Sequence, residues 1–121
     1  MGNEPTSSIE ILEDFLSIEN VEHVLVISKD GFVIESVGNN SATDIDKLGS
    51  SLASAVNGME EMGKGLSLGG FKNMSFEYGG AFIIGAAVND AVITIVAPDA
   101  SSLGMMKFKL NQFIPILKKF Y

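Results

Sequence analysis

Cysteine and arginine are missing from this 121-residue chain, and histidine occurs once. Without thiols there can be no disulfide, thiol nucleophile or thiolate metal site, and the cytoplasm is the expected compartment. One imidazole, that of His23, cannot build a catalytic triad or a histidine-based metal cage; at the start of a strand it reads as structural. No apolar run approaches the roughly eighteen residues of a membrane span. The opening MGNEPTSSIE also lacks the basic and apolar pattern of a secretory signal, so no membrane insertion is expected. Internal repeats and low-complexity tracts are absent too, which leaves a single domain spanning residues 1–121 with residues 1–6 as a flexible N-terminus.

What is present is ordinary globular composition. A hydrophobic fraction of 46% with 19% charged residues argues against disorder. A chain of this length buries roughly two thirds of its unfolded surface without needing a staple. The net charge of −7 opposes phosphate backbones, so no nucleic-acid partner is expected. The basic residues are all lysines, and Lys107, Lys109, Lys118 and Lys119 crowd the last fifteen positions, as cations near a helix C-terminus do. Met1, Gly2 and Thr6 loosely fit an N-myristoylation pattern, but no polybasic patch supplies a second anchor.

Periodicity divides the chain into eight elements. Ser7 and Glu10 form a capping-box pair before Ile9, Leu12, Phe15 and Leu16, which recur at helical spacing to about Ile18. HVLVIS and FVIESV flank Lys29-Asp30-Gly31 as a hairpin. A long helix follows, capped by Ser41 or Thr43 and ending near Gly63 or Gly65. Next come KNMSFEY, where Met74, Phe76 and Tyr78 alternate with Asn73, Ser75 and Glu77, then the apolar runs AFIIGAAV and AVITIVA. Ser101 or Ser102 caps a last helix with Leu103, Met106, Leu110, Phe113, Ile114 and Leu117 inward, loosened near its end by Pro115. Strands apolar on both sides require cover above and below. The expected fold is therefore an α+β domain: a five-stranded antiparallel sheet with helices on both faces, in the order α-β-β-α-β-β-β-α.

The long helix carries the most informative stretch. Between Lys47 and Glu60 lie twelve residues without charge, LGSSLASAVNGM. Ile45, Leu48, Leu52, Val56, Met59 and Met62 share one arc, and Ser50, Ser51, Ser54 and Gly58 fall on the opposite side. A solvated helix back usually carries Lys and Glu, whereas small neutral residues admit a second helix backbone. The expected cover is another copy of the chain.

VLVISKDGFVIES, then NMSFEYGGAFIIGAAVNDAVITIVAP, then SSLGMMKFKL, in this order from about Ile9 to Phe120, resemble the roadblock family of dynein light chain and bacterial motility regulators, a roadblock/profilin-like fold. The resemblance implies a homodimer, or a heterodimer, in which the middle helices pack together and the third strands pair edge to edge. Ser50, Ser51, Ser54 and Gly58 with Phe71, Asn73, Ser75 and Glu77 are the expected dimer surface. It also implies a Ras-like small GTPase as partner, with the chain as a non-enzymatic regulator or scaffold. The competing expectation is an adaptor subunit of a larger motor or signalling assembly, indifferent to nucleotide. Because the chain has no arginine, it has no arginine finger, and any effect on GTP hydrolysis must come from ordering the GTPase's own switch segments or from holding its catalytic residues in place.

Other candidate chemistry gives way to simpler roles. GMEEMGKG, residues 58–65, looks like a phosphate loop, but Gly65 stands where Ser or Thr must bind magnesium, and the stretch closes a helix instead of opening one. Gly63 and Gly65 instead suggest left-handed cap geometry. Asp44 and Asp46 read as first-turn helix acids and Glu60 and Glu61 as polar residues before a helix stop, so no metal site is expected. No catalytic or cofactor-binding residues are expected either. Too few polar groups converge in the apolar centre for a small-molecule sensor. Met59, Met62, Met74 and Met106 read as core filling, while Met105 should lie outside the stripe and, with Lys107 and Lys109, could face a partner.

Overall fold

Alternating and doubly apolar strands resolve into one sheet in the computed structural model, which describes residues 7–38 and 43–121. The elements are α1 (Ser8–Leu16), β1 (His23–Ser28), β2 (Val33–Gly38), α2 (Ile45–Gly65), β3 (Asn73–Glu77), β4 (Phe82–Val88), β5 (Ala91–Ala97) and α3 (Leu103–Leu117). The expected order and the five-stranded antiparallel sheet are both observed. Its strands run β2-β1-β5-β4-β3, so β2 and β3 are the edges. Residues 1–6, the expected flexible N-terminus that includes Gly2, and the candidate cap Ser41 lie outside the described residues.

Helices cover both faces, which is why the central strands carry so little polarity. In β5 every residue is buried. Ile93 and Ile95 join Val24, Val26 and Ile84 beneath α1 and α3, while Val92 and Val96 join Leu25 and Ile27 beneath α2. With nine residues, α1 is too short to hold its shape alone. It is held by fully buried Ile11, Leu12 and Phe15, each contributing roughly 1.5–3 kcal/mol. Phe15 meets Phe113 of α3 edge to face, with ring centroids 5.7 Å apart.

Caps depart from the expected residues where a stronger group is at hand. Ser7 caps α1 as expected, accepting from the Glu10 N–H. For α2 the cap is Asp44, not Thr43: its carboxylate accepts from the Lys47 N–H at 3.1 Å, and its charge suits the positive end of the helix dipole. Ser102 holds the cap position of α3 but donates its hydroxyl to the Glu19 carbonyl at 2.6 Å. Nearby, Asp99 accepts from the Ser101 N–H at 2.9 Å, and its hydrogen bonding to Ser101 lowers the carboxyl pKa.

Two close approaches seat α2. A Cβ on Gly49 would lie 3.0 Å from the Gly31 carbonyl oxygen, and Gly31 itself, at φ +95°, closes the β1–β2 turn. On the sheet, Leu52 rests over Gly85, where a Cβ would meet its Cδ2 at 3.2 Å. Further along, Asn57 Nδ2 donates to the Lys29 carbonyl and Lys29 Nζ pairs with Glu60 at 2.9 Å, lashing the helix to the same turn. Glu60 is thus more than a polar residue before the helix stop. The helix ends at Gly65, but Gly63 and Gly65 do not supply the left-handed residue. Ser67 does, at φ +55°, with Leu68 N–H donating to the Gly63 carbonyl and Ser67 N–H to the Lys64 carbonyl.

Candidate interaction surface

Two features adjoin near β3, one on the α2 side of the sheet and one along its edge. The first is the back of α2. Gly49, Leu52, Ala53 and Val56 turn inward, and Ser50, Ser51, Ser54 and Gly58 are all exposed, so the face expected from the sequence is solvent-facing in the single chain. A Cβ on Gly58 would meet nothing within 4 Å, leaving the backbone open to close approach. The second is the outer edge of β3, which has no neighbouring strand among the described residues; its exposed Asn73, Ser75 and Glu77 alternate with Met74 and Phe76 and so face away from α2. Phe71, just before it, is half-buried.

Between them runs an apolar depression. Because α2 is tied toward β1 and β2, its opposite flank leaves part of β3 and β4 uncovered. A groove of about 230 Å³ lies there, with Leu48, Leu52, Ala55, Phe76 and Ile83 in its walls. A second, of about 260 Å³, continues past the end of the sheet between Met59, Met62, Leu68, Phe71 and Met74.

That second groove explains a missed expectation. Met59 and Met62 were expected in the core with Met74 and Met106; only Met106 is fully buried and Met74 half so, while Met59 and Met62 remain 36% and 48% exposed. At 1.5 Å per residue α2 is about 31 Å long, against roughly 20 Å for the strands, so its last turns overrun the sheet. Tyr78 likewise falls beyond the end of β3 and is exposed, instead of continuing the inward alternation of Met74 and Phe76.

The other expected contact residues lie across the sheet on α3. Met105 and Lys107 are exposed, whereas Lys109 is half-buried, ion-paired with Asp14 of α1, and set 5.9 Å from the centroid of the Phe113 ring. His23 is buried, and burial lowers its imidazole pKa. Its Nδ1 and the hydroxyl of Thr94, also buried, have no hydrogen-bond partner among the described residues. At the rim of β2, Glu35 accepts from both Ser8 and the phenol of Tyr121; burial and this carboxylate push the Tyr121 pKa up to about 12. The carboxylate's link to Tyr121 joins residues 86 positions apart, and no local pattern in the sequence marks it. Among the described residues no three Asp, Glu or His side chains gather as a metal ion would require, and no helix is long and apolar enough to cross a membrane.

A five-stranded antiparallel sheet with one long helix on one face, two helices on the other and a bare third strand is the architecture of roadblock and profilin-like domains. The chain belongs to the Roadblock/LC7 domain family, whose model matches residues 9–97. Its fold is similar to that of Myxococcus xanthus MglB, at 22% identity and a TM-score of 0.84 over 97% of each chain. It is also similar to the gliding protein MglB of Thermus thermophilus, at 20% identity and a TM-score of 0.79 over 92% of this chain and 85% of that one. Acanthamoeba castellanii profilin IB shares the fold more loosely, at 14% identity and a TM-score of 0.65 over 93% of this chain and 98% of that one. Among curated protein sequences none matches the chain.

Proposed function

We propose that this chain is a dimeric, non-enzymatic regulator or scaffold of a Ras-like small GTPase. The observation that carries the dimer is the pairing, on one side of the molecule, of an exposed helix back without charge and an unpaired sheet edge. In this reading Ser50, Ser51, Ser54 and Gly58 of one copy meet α2 of the other, and β3 pairs with its twin through the outer edge beside Asn73, Ser75 and Glu77. Two half-covered grooves then bury Leu48, Phe76 and Ile83 together, and apolar area of this kind is the main stabilising contribution to a self-associating surface. Membership of the roadblock family, whose members commonly bind Ras-like GTPases, and likeness to a gliding protein support the GTPase as partner.

Mechanistically the dimer offers a surface and no reacting group. With no arginine in the chain, it has nothing to place against a transferring phosphate as an arginine finger does. Its contribution is to select one conformation of the GTPase switch segments, and it shifts that equilibrium only by its difference in affinity for the two nucleotide states. The test is light scattering for solution mass, followed by co-elution with small GTPases from the same genome loaded with GDP or a non-hydrolysable GTP analogue. A dimer that retains a GTPase in one nucleotide state alone supports the proposal. Equal retention in both states would make the chain an adaptor, and a monomer that retains none would refute the reading altogether.

A further inference from the structure

We infer that the opposite face of the sheet carries a second docking site, a basic groove between α3 and the β3–β4 edge, built for an acidic segment of a partner protein. This site lies on the face of the sheet opposite α2, and it borders the proposed dimer edge, since Phe71 and Asn73 belong to its lining. The groove has a volume of about 400 Å³. Its apolar wall is one side of α3, from Leu110 to Ile114, facing Ala86 of β4. Lys72, Lys107 and Lys118 stand exposed around its rim. Among the described residues no Asp or Glu lines it, although the chain carries 15 Asp and Glu residues and a net charge of −7. The ion pairs Lys29–Glu60 and Lys109–Asp14 use none of these three lysines.

Their spacing identifies the occupant. Lys107 of α3 and Lys118, the cap residue at its C-terminus, are eleven positions apart, about 16 Å along the helix axis. That distance is too long for one phosphate or carboxylate and matches about five residues of extended chain. The lysine heads are exposed, so the site is not a buried pocket for a small anion. Three cations on so acidic a molecule neutralise too few phosphates to hold a nucleic acid. A recessed apolar floor inside a basic rim suits a segment in which acidic residues flank one or two apolar anchors. Pro115 brings no N–H to the Asn111 carbonyl four residues back, and both residues line the groove. The wall is also fixed in place, because Asn89 Nδ2 donates to the Lys118 carbonyl at 2.9 Å and ties the end of α3 to the β4–β5 turn.

The test uses short random peptides displayed on phage, selected on the wild-type chain after depletion on a triple variant, Lys72→Glu, Lys107→Glu and Lys118→Glu. The enriched peptides are expected to be acidic around Leu, Ile, Phe or Met. They should bind the wild type at least about tenfold more tightly than the triple variant at low salt, and weaken as salt is raised. Amide shifts should centre on Leu110 and Ile114, and the triple Lys→Gln variant should fall between the two. The proposal is overturned by a lack of enrichment, by enriched peptides without negative charge, or by binding that survives in the triple variant. It is overturned equally if vesicles of phosphatidylcholine and phosphatidylglycerol bind the wild type and not the variant while no peptide does.

Discussion

Replacing Ser54 by glutamate tests the proposed dimer at its centre. The residue lies near the midpoint of α2, exposed, on the uncharged strip. A two-fold axis pairing this helix with its twin brings the two copies of position 54 close, and Ser54→Glu then opposes two carboxylates. At a separation of about 7 Å and an effective dielectric constant of roughly 20, their repulsion is about 2.4 kcal/mol, before any cost of removing them from water. Taking about 2 kcal/mol, self-association weakens roughly thirtyfold. The monomer itself is spared, since the side chain points to solvent and Glu is a slightly better helix former than Ser. Sedimentation velocity over a dilution series reads the association constant, and thermal midpoints at concentrations where both proteins are monomeric should agree. Ser54→Ala, which adds no charge, should associate like the wild type. A Ser54→Glu protein that dimerises as tightly as its parent would refute the reasoning, as would a parent that stays monomeric at its highest soluble concentration.

Four further outcomes follow from particular contacts. Gly85→Val pushes a side chain into Leu52 and Val92, whose atoms would lie 3.2 Å from its Cβ, and should destabilise by about 1–3 kcal/mol in urea titrations with an unchanged m-value. Thr94→Val removes a buried hydroxyl that has no partner among the described residues and should stabilise by about 1 kcal/mol in the same assay. Ser67→Gly relieves a left-handed residue at φ +55° and should add about 0.5–1 kcal/mol, seen as a thermal midpoint higher by roughly 2–5 °C. The Tyr121 phenol has its pKa raised from 10.0 to about 12 by burial and by Glu35, so the fold favours its neutral form. Its contribution to stability is complete below the unfolded value and is lost as pH rises through the folded one. Tyr121→Phe should therefore lower stability at neutral pH and narrow the alkaline loss between these values; an identical alkaline profile would refute the assignment.

The sheet was legible because its residues obey a simple alternation. Asn73, Ser75 and Glu77 against Met74 and Phe76 marked β3 as a half-covered edge, and the unbroken apolar runs of β4 and β5 required cover on both faces. The back of α2 was legible for a similar reason, since a run without charge has few explanations on a helix. Helix ends were less readable. Thr43 and Asp44 are adjacent acceptors, and only geometry gave the cap to Asp44. Gly63 and Gly65 carry the composition of a helix stop, yet the reversal falls two residues later on Ser67, where periodicity has nothing to say. Met59 and Met62 continue the apolar arc of α2, and the sequence cannot show that the sheet beneath them has already ended. The basic groove escaped notice because Lys72 and Lys118 are 46 positions apart and belong to different elements.

Glu35 has a consequence for how the molecule opens. One carboxylate on an edge strand takes hydrogen bonds from Ser8, at the first turn of α1, and from Tyr121, beyond α3. Fraying of either segment removes one of the two donors that hold this acid in place, and so loosens the grip on the other. The first turn of α1, strand β2 and the last residues should therefore exchange their amide hydrogens as one cooperative unit, at a lower free energy than β1 and β5, and a lesion at position 35 should be felt at both extremities at once.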